Sequence, residues 1–171
     1  MKRDKTFGIY VPSYKRYDCI KTDKVLNDCT YVVRESEEQL YRDAGVRKIL
    51  AAPDQEIDSL PKIRQWIIDH TPEDIIVQID DDIERFSYVN KVNMEEIPDT
   101  DIIDAELVRI GQILSDLNLG FASIRMQESV IKYNEEFRFS STIGLVCWFN
   151  KASLKSRYDE NVRFKADTDF Q

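Results

Sequence analysis

The chain has 171 residues, 42% of them hydrophobic and 33% charged, with a formal net charge of −8 at pH 7. That length suits one domain with a proper core, and the composition is ordinary for a soluble globular protein. The acidic balance argues against a broad basic face of the kind that non-specific nucleic-acid binding uses. A local basic groove stays open, since Lys2, Arg3, Lys5, Lys15, Arg16 and Lys21 make the first stretch positive.

Cys19, Cys29 and Cys147 are odd in number and lack metal-type spacing, so reduced, mostly structural thiols are expected, as in a cytoplasmic protein. No apolar run approaches membrane-spanning length, and no apolar segment follows the charged start as a secretory signal would require.

Taken in order, Phe7 to Val11 reads as a first strand that Pro12 ends. Ser13-Tyr14-Lys15-Arg16-Tyr17 then mixes hydroxyls, cations and rings, which suits a nucleotide and equally suits a solvated loop. A short helical segment is expected near Thr22 to Leu26, then a second strand over Thr30 to Val33, with Arg34 and Glu35 at its carboxyl end. Ser36 with Gln39 forms a capping-box pattern, which predicts a helix from Glu37 that stops at Gly45. Lys48 to Ala51 is a third strand, and Pro53-Asp54 turns the chain.

The next helix begins at Leu60, with Pro61 in its first turn. Ile63, Trp66, Ile67 and His70 share its apolar face, and Lys62 and Arg64 are expected off that face, near the anion-favouring N-terminus. The sole histidine, His70, reads as a packing or capping residue. Ile75 to Ile79 is an apolar strand of the kind buried on both faces of a parallel sheet, and it runs into Asp80-Asp81-Asp82. Residues 83 to 92 resist assignment. A long helix after Pro98 to Asp101 carries the stripe Ile103, Leu107, Ile110, Leu114 and Leu117 and is expected to end at Gly120. Strands at Phe121 to Ile124 and Ile143 to Phe149, then a short helix from Lys151 to Ser156, lead to Arg163-Phe164-Lys165-Ala166-Asp167-Thr168-Asp169. The alternation predicts a single α/β domain around an open, mostly parallel sheet flanked by helices.

Three adjacent carboxylates repel one another unless a cation or hydrogen-bond donors sit among them. Acidic residues after a strand can simply cap a helix or face solvent. Here, though, they stand at the carboxyl end of a buried strand, where open α/β sheets bind ligands. A divalent ion held there would neutralise a diphosphate leaving group, with Lys62, Arg64 and Arg16 adding positive charge. If the fold brings Asp167 and Asp169 near, one of them can take a proton from an acceptor hydroxyl. Those parts amount to glycosyl transfer from a nucleotide sugar.

At this point the sequence resembles the GT-A-fold glycosyltransferases, of the family 2 type. Val11-Pro12-Ser13-Tyr14-Lys15-Arg16 is similar to their loop after the first strand, and Leu60 to Ile68 is similar to their helix with a phosphate-facing arginine. Ile79-Asp80-Asp81-Asp82 resembles their Asp-x-Asp element, and Lys165 to Phe170 their late acidic motif. A narrower similarity is to the bacteriophage enzymes that glycosylate hydroxymethylated pyrimidines in DNA. The resemblance implies a GT-A, Rossmann-like fold and a metal-dependent transferase using a UDP-sugar, with Mn²⁺ or Mg²⁺ as cofactor; the acceptor hydroxyl stays open, with DNA one candidate.

By position it implies that Pro12, Ser13 and Arg16 contact the nucleotide, with Arg34 or Glu35 near the base and Arg64 near the phosphates. Asp80 approaches the ribose or shares the metal with Asp82; Asp81 lies in the donor site and is the most structural of the three. Asp167 is the expected base, with Asp169 in play because Ala166 stands where the family usually has Glu. Family members normally continue past this motif, so three expectations stay open: C-terminal elements are missing, a partner supplies them, or the protein is minimal. Two other classes stay open: a catalytically silent binding module of the same fold, and a phosphoryl enzyme with two ions about 4 Å apart.

Overall fold

The computed structural model describes residues 5–89, 92–124 and 144–160. Its centre is a six-stranded sheet of β1 (Phe7–Pro12), β2 (Thr30–Arg34), β3 (Ile49–Ala52), β4 (Ile75–Ile79), β7 (Phe121–Ile124) and β8 (Val146–Asn150). The spatial order is β3-β2-β1-β4-β8-β7, and β8 alone runs antiparallel to its neighbours. A separate ribbon pairs β5 (Ser87–Val89), inside the stretch 83–92 that the sequence left unassigned, with β6 (Met94–Glu96) just after it.

Helix α2 (Leu60–His70) covers one face, and α1 (Glu38–Asp43) with α3 (Thr100–Asp116) covers the other. β4 shows why its sequence is apolar throughout. Ile75, Val77 and Ile79 join the cluster with Tyr41, Leu107 and Trp148, while Ile76 joins the cluster with Ile63, Ile67 and Phe149. Each such fully buried side chain contributes roughly 1.5–3 kcal/mol of transfer free energy. Trp148 is completely buried, and its indole N–H donates to the Leu107 carbonyl at 2.9 Å.

Several local expectations need correction. The capping box does not form: Ser36 Oγ donates to Asp54, and the chain enters α1 through a 3₁₀ turn at Glu35–Glu37 with no side-chain cap. α1 does end by Gly45, whose φ of +89° lies in the region where a side chain would be strained. α3 ends earlier than expected. Asn118, at φ +53°, takes the left-handed position after the C-cap Leu117, and Leu117 is 61% exposed rather than part of the stripe. Gly120 is glycine for another reason, since an added Cβ would lie 2.7 Å from the Ser153 carbonyl oxygen. Lys151 to Ser156 forms a turn and not a helix. There Ser153 Oγ donates to Asn118 Oδ1 at 2.6 Å, and Asn150 Nδ2 donates to the Leu119 carbonyl at 3.1 Å, so side chains compete with helical bonding.

Cys29 and Cys147 are buried and Cys19 is exposed. No helix among the described residues is long and apolar enough to cross a membrane.

Candidate active site

The chain leaves β1 outward to β2 and β3, then returns to place β4 on β1's other side. Strand order therefore reverses between β1 and β4, and it is beyond the carboxyl ends of strands at such a point that open α/β sheets bind ligands. Ser13 follows β1 there, and Asp80-Asp81-Asp82 follows β4.

The three carboxylates are held apart by different partners. Asp80 accepts from Arg64 Nη2 at 2.7 Å, and its backbone N–H is tied to the Leu145 carbonyl at 3.1 Å. Asp81 is buried; it accepts from Ser13 Oγ at 2.6 Å and from Arg16 Nη1. Asp82, its side chain 46% exposed, accepts from the same Arg16 nitrogen at 3.2 Å. Two guanidiniums thus meet three carboxylates, which relieves most of the repulsion expected of the triplet.

Buried hydroxyls fix the two loops against each other. Thr22 Oγ1 donates to the Asp80 carbonyl at 2.6 Å and accepts from the Ile83 N–H at 3.0 Å. Ser13 must donate to the Asp81 carboxylate, so it accepts from the Tyr41 hydroxyl at 2.7 Å, which in turn accepts from the Arg16 N–H at 3.1 Å. Burial pushes the Tyr41 phenol above its ordinary value, so it keeps the proton this chain needs. Lys15 sits at φ +55°, an uncommon position for a side chain, and its N–H is held by Glu37 Oε2 at 2.9 Å.

Beside the triplet lies a groove lined by Pro12, Tyr14, Arg34, Ile57, Leu60 and Ile63, with Ser13 shared between groove and triplet. The Arg34 guanidinium lies 4.2 Å from the centre of the Tyr14 ring, and Lys15 Nζ lies 5.0 Å from it. An exposed ring flanked by cations above an apolar floor suits a flat, anionic ligand.

The structure thus brings together Pro12, Ser13, Arg16, Arg34, Arg64, Asp80, Asp81 and Asp82. Glu35 is exposed and does not line the groove. Arg64 departs from expectation: it is buried within the helix face that packs on the sheet, because its guanidinium reaches Asp80. Lys62 pairs with Asp58 at 2.8 Å. His70 is exposed, stacked on Trp66 with ring centroids 4.5 Å apart. Asp167 and Asp169, with Ala166, lie outside the described residues.

Four supporting residues escaped the sequence reading: Thr22, Glu37, Tyr41 and Gln78. Only Gln78 left a signal. A polar residue in a strand buried on both faces needs an internal partner, and its amide donates to the Arg64 carbonyl at 2.7 Å.

The chemistry of the donor set can be tested against a divalent ion. Carboxylate oxygens are the donors hard cations take. Asp80 and Asp82 are partly exposed, and the Arg16 guanidinium already stands in as a cation on Asp82. Among the described residues no group of three or more metal-type side chains surrounds one point. Asp80 and Asp82 are thus the described carboxylates whose chemistry fits such an ion.

Residues 7–171 match the family model described as TET-associated glycosyltransferase. No curated protein sequence matches the chain. Among solved structures the chain is similar to glucosyl-3-phosphoglycerate synthase of M. tuberculosis, at 11% identity and a TM-score of 0.53, over 86% of this chain and 58% of that one. It is similar to S. aureus TarS 1-349 in complex with UDP, at 14% identity and a TM-score of 0.50, over 95% and 53%. It is also similar to the mannosyltransferase PcManGT from Pyrobaculum calidifontis in complex with GDP-Man and Mn²⁺, at 10% identity and a TM-score of 0.50, over 87% and 45%. The chain spans about half the length of these structures, and at such identities the likeness shows the fold, which is GT-A.

Proposed function

Because the chain belongs to the TET-associated glycosyltransferase family, we propose that it moves a sugar from a nucleoside-diphosphate sugar, with a UDP-sugar the preferred donor, to an acceptor hydroxyl. One observation carries this reading: an aromatic–cation groove at the end of β1 and β2 adjoins an arginine-neutralised carboxylate triplet at the end of β4. A base stacked near Tyr14 and Arg34 would direct its diphosphate toward that triplet. UDP and GDP-Man with Mn²⁺ occupy two of the similar structures, which supports the donor class.

Asp80 and Asp82 would hold Mn²⁺ or Mg²⁺, with Asp80 fixed by its ion pair to Arg64. The bound ion would supply Lewis-acid charge to the leaving diphosphate. Ser13 and Tyr41 keep Asp81 oriented, so that Arg16 stands at the mouth of the site. Asp167, with Asp169 as its alternative, takes the acceptor's proton. The proposed acceptor is a hydroxymethylated pyrimidine in DNA, whose hydroxymethyl group carries the primary hydroxyl that such a transfer consumes. The family's description as TET-associated supports that choice.

The test incubates the protein with Mn²⁺, a panel of UDP- and GDP-sugars, and oligonucleotides with and without hydroxymethylated pyrimidines. Mass spectrometry should report one added sugar on the modified strand alone. Donor consumption with no change in either strand would remove DNA as acceptor, and no consumption of any donor would sink the transferase reading. Asp82→Ala should abolish donor binding, whereas Asp167→Ala should spare binding and stop transfer.

A further inference from the structure

Arg16 differs from every other cation at the site in being placed to change partners. Its guanidinium bridges a buried carboxylate, Asp81, and an exposed one, Asp82, while its own side chain is half exposed. Its backbone N–H is held as well, by the Tyr41 hydroxyl. Among the described residues Arg16 is the one hydrogen-bond partner of the Asp82 carboxylate. The contact to Asp82, at 3.2 Å in an exposed setting, is the kind of ion pair that contributes little. The contact to Asp81 is closer and lies against a carboxylate that water scarcely reaches.

We propose that Arg16 is an exchangeable counter-ion that couples cation binding to diphosphate binding. With the divalent ion absent, it neutralises Asp82 and keeps the triplet from repelling itself apart. When the ion arrives, Arg16 yields Asp82 but stays anchored on Asp81, and its freed N–H groups turn to the donor's phosphates. The guanidinium is suited to this because its fork can keep one carboxylate while offering further donors to a phosphate. Arg16 therefore opposes the ion on its own and favours the nucleotide once the ion is bound. The proposal rests on the donor-site reading above.

The test titrates Mn²⁺ alone, then UDP at saturating Mn²⁺, into wild type, Arg16→Gln and Arg16→Lys, following free Mn²⁺ by electron paramagnetic resonance and UDP by calorimetry. Arg16→Gln should bind Mn²⁺ alone about threefold more tightly, the scale of one exposed ion pair removed. The same variant should bind UDP with Mn²⁺ about tenfold more weakly, the scale of a lost charge-assisted hydrogen bond. Arg16→Lys, whose point charge does not bridge both carboxylates, should fall between wild type and Arg16→Gln in Mn²⁺ affinity, and it carries the test if Arg16→Gln does not fold. Mn²⁺ affinity unchanged or weakened in both variants would overturn the proposal, since Arg16 would then be only structural. Unchanged UDP affinity would overturn it equally. Wild-type protein that binds neither Mn²⁺ nor UDP would bring down the donor-site reading and this proposal with it.

Discussion

The two arginines of the acidic triplet approach it from opposite sides and are held in opposite ways. Arg64 reaches from α2 to the carboxyl end of the central strand β4, its side chain 5% exposed, and its backbone carbonyl is tied to Gln78. Arg16 comes from the loop after β1, its side chain 50% exposed, and it shares itself between two carboxylates. The ion pairs are chemically alike, yet one is part of the core and the other part of the surface. Burial, not charge, decides which of them a ligand can open. Breaking a buried pair leaves an uncompensated charge, whereas opening an exposed one hands both ends to water.

That contrast can be attacked most severely at Arg64. Arg64→Ala should cost about 3 kcal/mol of stability in urea denaturation, the scale for removing one partner of a buried pair. A cost no larger than that of an exposed pair would erase the distinction between the two arginines. Thr22→Val comes next. It strips the hydroxyl that clamps Asp80 and Ile83, and should cost about 2 kcal/mol and weaken UDP binding with it.

The dryness of the ground beneath the Arg16-side loops has a pH signature. Burial, with Asp23 adding to it, pushes the Cys29 thiol up to about 12. The unfolded thiol ionises near its ordinary value of about 8.5, so the unfolded state loses its proton first. Stability is then full below that value and declines as pH rises toward the folded value. Between pH 8 and pH 10 the Cys29 thiol alone should account for about 2 kcal/mol of lost stability, so Cys29→Ala should lose clearly less than wild type over the same interval. Equal slopes would mean that water reaches this side of the core. Tyr41→Phe is the mildest change. It breaks the chain from the Arg16 N–H to Ser13 and should cost about 1 kcal/mol, with the loss of UDP affinity exceeding the loss of fold.

Much of this molecule was legible in its residues, but unevenly. β4 could be read because a strand buried on both faces has no polar face to confuse its boundaries, and the carboxylates that end it are conspicuous. α2 could be read from Pro61 and its apolar spacing, but Arg64 could not, because helical spacing does not reveal that a cation on the packed face has a carboxylate waiting at the end of β4. Tyr41 and Thr22 were invisible for the same reason: their partners lie 28 and 58 residues away in sequence. The Ser36 cap and the turn after Lys151 went astray where a local signal lost to a better partner, Asp54 in one case and Asn118 in the other. Local chemistry marked the carboxylate triplet, and long-range hydrogen bonds decided how its surroundings are built.

The most direct test of the account is a crystal of the protein soaked with Mn²⁺ and UDP, with the ion located by its anomalous scattering. The account predicts one manganese peak within about 2.5 Å of an Asp82 carboxylate oxygen, the uracil ring beside Tyr14 and Arg34, and Arg16 moved from Asp82 toward the diphosphate. A manganese peak remote from Asp80 to Asp82, or UDP bound with Arg16 still on Asp82, would contradict it.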